Sequence, residues 1–250
     1  NTMSANNESA VLFLIELRSR LISSLLVLLV VFAVLLYFAN PLYTLLANPL
    51  LKFLPGGHLI ATQIVSPFFV PFKLALLAAM LVCVPYFLYQ LWSFIKPALY
   101  RNEKRYVWPF LIFSGILFYS GMAFAYFVIF PLLFQFLANT APAGVVLSPD
   151  IGEYLDFTMK LLLIFGSLFE IPMIMVLMVA INIVERAWFV RMRRYAIVAA
   201  FVIGMLLAPP DVMSQTILAV PIYLLYEAGI QLTRLVAGKK HHEETECESR

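Results

Sequence analysis

Charged side chains are scarce in this sequence. Asp, Glu, Lys and Arg make up 12% of its 250 residues, where soluble domains carry about 25%. Hydrophobic residues fill 63%, a balance that excludes an ordinary soluble domain. Cysteine is scarce too. Cys83 lies inside an apolar run and Cys247 in a polar tail, so the pair supplies neither a disulfide framework nor metal-ligand spacing. The histidines are His58, His241 and His242, and a metal site at the adjacent pair near Cys247 is a weaker reading than a solvated tail. Gly238-Lys239-Lys240 lacks the preceding glycine of a phosphate-binding loop. No H-E-x-x-H, no G-x-S-x-G and no Ser/His pairing within a span occurs. Nothing here calls for an enzyme, a metal or a cofactor. The net charge of +3 makes no case for nucleic acid. Strict alternation in ten-residue segments is missing, against an outer-membrane barrel, and so is the internal repeat common among transporters.

What the chain does contain is long apolar runs, more than the ~18 residues that mark a spanning helix. They predict an all-α integral membrane protein with six transmembrane helices. The spans fall at about 21–38, 66–95, 107–137, 157–183, 195–208 and 212–235. Prolines recur within most of them, so kinked helices follow. The fifth and sixth spans read as short: fourteen residues of the fifth rise only about 21 Å, against a hydrocarbon core of about 30 Å. Residues 1–20 read as an amphipathic segment, with Val11, Leu12, Ile15 and Leu17 among Glu8, Glu16, Arg18 and Arg20. The first apolar run is too long for a signal-peptide core and no small-x-small site follows it, so cleavage is not expected. Residues 39–65 are apolar but broken by Pro49, Pro55 and Gly56-Gly57, as short interfacial helices would be. The organisation is thus 1–20, a six-span domain at 21–235, and a charged tail at 236–250 expected to be disordered.

Basic residues set the orientation. Fourteen of the seventeen Lys and Arg residues fall on the N-terminus, the 96–106 and 184–194 loops and the tail. The positive-inside rule puts both termini in the cytoplasm. Glu16 and Glu103 then share one membrane face. Glu103 stands among Lys96, Arg101, Lys104 and Arg105, where it either balances charge on a solvated turn or is aimed at a cationic ligand. Glu170 sits mid-span, where a charge costs about 2.5–3.5 kcal/mol on insertion scales. It is either a functional group or a hydrogen-bonding residue that holds the bundle together. Gln215, beside Ser214, can bond a neighbouring helix or a partner. Glu227 reads as interfacial and Lys160 as snorkelling outward.

Six ordered motifs carry a family resemblance: L-I-E-L-R-S-R at 14–20, S-P-F-F-V-P-F-K at 66–73, K-P-A-L-Y-R-N-E-K-R at 96–105, S-G-M-A-F-A-Y-F at 120–127, F-G-S-L-F-E-I-P at 165–172 and G-M-L-L-A-P-P-D-V-M-S-Q at 204–215. With six spans, the chain resembles TatC, the multi-spanning receptor subunit of the bacterial twin-arginine translocase. The resemblance implies a concave bundle in the bacterial inner membrane that binds twin-arginine signal peptides of folded proteins, with no ATP and export driven by the proton-motive force. It implies a recognition surface of Glu16, Arg18 and Glu103, and matches Glu170 to the family's buried acid. It also implies a site for the single-span subunits TatA and TatB at Met205, Ala208 and Gln215, and homo-oligomers within a TatBC-type complex. Ala208 departs from the threonine expected there. Pro49 and Phe68 match positions in the outer caps, and Asp211 reads as the N-cap of the sixth span. The competing reading is a proton-coupled secondary transporter using Glu170.

Overall fold

In hydrocarbon a backbone satisfies its own N–H and C=O groups or leaves them unbonded, so long apolar runs become helices. The computed structural model describes residues 2–38, 41, 66–95, 107–140, 150–208 and 211–248, with side chains described for 15–38, 41, 69–93, 108–136, 150, 152–208 and 211–234. The helices are α1 (Thr2–Tyr37), α2 (Ser66–Ile95), α3 (Val107–Phe124), α4 (Phe130–Thr140), α5 (Ile151–Phe169), α6 (Ile171–Ala180), α7 (Arg186–Arg191), α8 (Arg193–Leu207) and α9 (Val212–Glu248). A π-helical turn, Ala125–Ile129, joins α3 to α4. Among the described residues, five stretches are long and apolar enough to cross a membrane: Ile15–Tyr37, Phe69–Ser93, Trp108–Phe136, Gly152–Ala180 and Val212–Arg234.

The remaining expected span is α8, whose 15 residues rise about 22 Å. Of the two spans expected to be short, α8 is; the apolar part of α9 runs 23 residues. Helix α1 is unbroken from Thr2, so the amphipathic N-terminal stretch and the first span form one rod. Helix α9 likewise continues through 236–248, the stretch expected as a disordered tail. That stretch is rich in Lys and Glu and has no proline, and such residues favour helix.

Proline shapes the spans through the N–H it lacks. Pro131 cannot donate to the carbonyl four residues back, and just before it the Phe130 N–H reaches Ala125, five residues back, which is the π-turn register. Pro172 similarly cannot continue the ladder at the junction of α5 and α6. Two residues beyond the end of α6, Asn182 takes φ 56°. The Ile183 N–H then returns to the Met178 carbonyl at 3.0 Å, a left-handed cap made with Asn in place of the usual Gly.

The contacts divide the chain into two compact units, Asn1–Gly115 with Ser148–Leu155 and Ile116–Leu147 with Asp156–Arg250. In the first, α1 packs along α2, and Trp92 lies 5.6 Å from Phe110. Leu21, Leu25, Leu26, Leu29, Val30 and Val34 on α1 are all exposed, as on a helix facing lipid. In the second unit α9 packs against α6 and α8. Met175, Val179, Phe189 and Ile230 form a buried cluster there. Small residues permit the closest approaches: a Cβ on Gly121 would sit 2.7 Å from the Phe165 carbonyl oxygen, and one on Gly166 would sit 2.7 Å from the Phe118 ring. Helices α3 and α5 therefore cross glycine against aromatic.

Gly166→Val should lower the thermal unfolding temperature of the detergent-purified protein, with a cost of about 1–3 kcal/mol for overpacking. Gly115→Ala, whose Cβ meets nothing within 4 Å, should leave it unchanged. Equal melting of the two variants would count against the glycine crossing.

Candidate functional site

Glu16 and Arg20 stand four apart on α1, the spacing at which two helical side chains meet, with the acid on the favourable N-terminal side. Arg20 donates to Glu16 Oε1 from Nε at 3.0 Å and from Nη2 at 2.6 Å. Its Nη1 donates to Gln90 Oε1 on α2 at 3.0 Å, and Nη2 reaches the Ser93 carbonyl at 3.4 Å. Gln90 Nε2 donates to the Tyr86 hydroxyl at 2.7 Å. That leaves the phenol proton for Ser23 Oγ, also 2.7 Å away on α1. A polar chain of five side chains thus links α1 and α2 at the start of the first span. The carboxylate is the open end: the Glu16 side chain is 42% exposed and that of Arg20 23%. Arg18 is exposed.

Glu170 is buried, 7% exposed, at the break between α5 and α6. Its N–H bonds the Ser167 carbonyl at 3.1 Å and its carbonyl accepts from Ile174 at 2.9 Å, so the helical path survives the interruption. Ahead of α5, Asp150 Oδ1 accepts the Gly152 N–H at 2.7 Å.

Around the end of α8 and the start of α9 the three residues expected to bind partners part company. Met205 is 52% exposed, whereas Ala208 is buried in an extended conformation that ends α8. Gln215 Nε2 donates to the Phe201 carbonyl at 2.9 Å, so its amide ties α9 to α8. Gly204 allows that approach, since a Cβ there would lie 3.0 Å from the Gln215 carbonyl oxygen. Asp211 Oδ2 accepts the Ser214 N–H at 2.7 Å, a side-chain cap on the first turn of α9. Glu103 and Pro49 lie outside the described residues, and Phe68 has only its backbone described, in the first turn of α2.

Two arrangements escaped the sequence reading. The relay through Gln90, Tyr86 and Ser23 has a weak signature, polar residues at i and i+4 on an otherwise apolar span. Glu227, read as interfacial, pairs with Arg193 at the start of α8, and the neighbouring Tyr226 hydroxyl donates to the Phe189 carbonyl at 2.9 Å. Among the described residues no group of three or more His, Cys, Asp or Glu is gathered as metal ligands.

The family model for TatC, the Sec-independent protein translocase protein, matches residues 12–221. The chain belongs to the TatC family. It is 50% identical over 232 residues to the Sec-independent protein translocase protein TatC of Escherichia coli strain K12, covering 92% of this chain and 90% of that one. It is 48% identical to the TatC of Haemophilus influenzae, covering 90% and 89%. A crystal structure of a twin arginine translocase receptor TatC superposes with a TM-score of 0.82 at 37% identity, covering 90% of this chain and 99% of that one. The protein is therefore a multi-helix membrane component of protein transport, not an enzyme. Membership in a protein-translocase family does not favour the proton-coupled transporter reading of Glu170.

Removing the Asp211 cap by Asp211→Ala should cost about 1 kcal/mol. It should speed amide exchange at the first turn of α9, residues 212–215, while Asp211→Asn should restore most of the protection. Hydrogen-exchange mass spectrometry of the purified protein reads both.

Proposed function

We propose that this protein is the receptor subunit of a twin-arginine translocase, with Glu16, Arg18 and Glu103 forming the signal-peptide recognition surface at the cytoplasmic membrane face and the two acids docking the paired arginines. One observation carries the reading: Glu16 presents a half-exposed carboxylate at the mouth of the first span, in a setting that already accommodates a guanidinium through two N–H groups. A planar guanidinium fork matches a carboxylate in a way an ammonium does not. Charge-assisted bonds contribute about 1.5–3 kcal/mol at most and less where water screens them. Two acids can therefore select an arginine pair and still release it.

The name carried by the crystallised relative, a twin arginine translocase receptor, supports the same assignment. In this reading the apolar part of the signal inserts beside the bundle, with Glu170 its buried acid. TatA and TatB-type subunits meet the α8–α9 hairpin around Met205 and Gln215, and several copies assemble into the TatBC-type complex. Passage is driven by the proton-motive force. Both termini lie in the cytoplasm, in keeping with the distribution of Lys and Arg.

Photo-cross-linking of a twin-arginine signal from probes at 12–18 and 98–105 in membrane vesicles tests the docking surface. Glu103→Gln should abolish the cross-link, and Glu16→Gln should weaken it several-fold, with the bundle still folded. Unchanged cross-linking in the double variant would reject the carboxylate assignment.

A further inference from the structure

We propose that Arg20 is an internal stand-in for the ligand: in the unoccupied protein its guanidinium holds the Glu16 carboxylate, and an incoming arginine displaces it. The inference rests on the docking reading of Glu16 given above. Four features of the geometry carry it. The group on Glu16 is chemically the same as the group to be recognised, and it uses two N–H donors. Both go to Oε1, and Oε2 takes no bond among the described residues, so exchange can start at the unused oxygen. The carboxylate is the more exposed partner, 42% against 23%, so a newcomer reaches the acid before it reaches Arg20.

Arg20 also has somewhere to stay when displaced. Gln90 Oε1 and the Ser93 carbonyl already accept from it, and Gln90 is held in turn by Tyr86. The displaced arginine keeps those bonds, so it is not left unbonded beside the first span. An i,i+4 ion pair whose carboxylate stays 42% exposed is weak enough to exchange. Its effect is a tax on every ligand: the apparent affinity of a protein whose competent state is only partly populated falls by that fraction.

The test measures binding of a fluorescent synthetic peptide with two adjacent arginines before an apolar stretch, and of its Lys-Lys counterpart, to the purified full-length protein in nanodiscs. Arg20→Gln should tighten binding about three- to fivefold. It should do so by the same factor for both peptides, because what is removed belongs to the unoccupied protein. Arg20→Lys, which keeps the charge but loses the fork, should also tighten binding, by less. The gain should vanish in a Glu16→Gln background. Equal or weaker binding by folded Arg20→Gln overturns the proposal, as does a gain absent from Arg20→Lys or persisting without Glu16, either of which marks bulk charge alone. If Arg20→Gln fails to fold, Arg20→Lys decides by the same criterion. A Glu16→Gln variant that binds normally removes the docking reading and this inference together. If Glu16→Gln weakens binding and Arg20→Gln does not tighten it, only this inference falls.

Discussion

Hydrocarbon offers no hydrogen bonds, and each polar group that enters it has to find its partner within the chain. That requirement accounts for features that otherwise look unrelated. Pro131 removes a donor from a span and the ladder shifts into a π turn beside it. Asn182 closes the end of α6 by taking a left-handed conformation, which returns the Ile183 N–H to the Met178 carbonyl. Ser23, Tyr86, Gln90, Arg20 and Glu16 hand hydrogen bonds from the body of two spans out to an exposed carboxylate. The guanidinium at the start of the first span is thereby anchored on α2 as well as on its own helix.

Lipid tails are as apolar as leucine, so helices gain little from hiding apolar surface against one another and rely on close contact instead. Gly121 and Gly166 set that contact between α3 and α5, and Gly204 sets it between α8 and α9. The second case bears on the proposed partner site. With α8 drawn against α9, the Gln215 amide bonds the Phe201 carbonyl and Ala208 is shut in, which leaves Met205 as the exposed member of the trio. Ala208 therefore falls on a buried site, where a small apolar side chain is at home.

The spans were legible because hydrophobic run length is a local property, and Glu170-Ile171-Pro172 announced its break for the same reason. The capping role of Asp211 could be proposed because an acid three residues before a helix N–H is also a local pattern. What could not be read was anything that depends on which helix lies beside which. Arg20 and Gln90 are 70 positions apart and Arg193 and Glu227 are 34 apart, so each looked like a boundary charge or a stray polar residue. Helix continuity is a separate matter. A change from apolar to charged composition at 20 and at 236 looks like the end of an element, although the backbone hydrogen-bond ladder has no need to stop where the solvent changes. The recognition motifs identified the family without locating its surface, since Glu103 lies outside the described residues and nothing in the neighbouring sequence distinguishes charge balance from ligand contact.

The short α8 brings these threads together. Fifteen residues cover about 22 Å of a hydrocarbon layer of about 30 Å, so its ends must meet polar surroundings before the lipid headgroups begin. At one end Arg193 pairs with Glu227 of α9, and at the other Asp211 caps the chain as it turns back into α9. The short helix is thus tied to the one that follows it by Arg193 and Glu227 at its start and by the Gln215 amide on the Phe201 carbonyl further along. A bilayer thinned around α8 would accommodate this hairpin with less mismatch than one of full thickness. The short span and its polar ends are then one device, fixed by the length of an apolar run between Arg194 and the proline pair at 209–210.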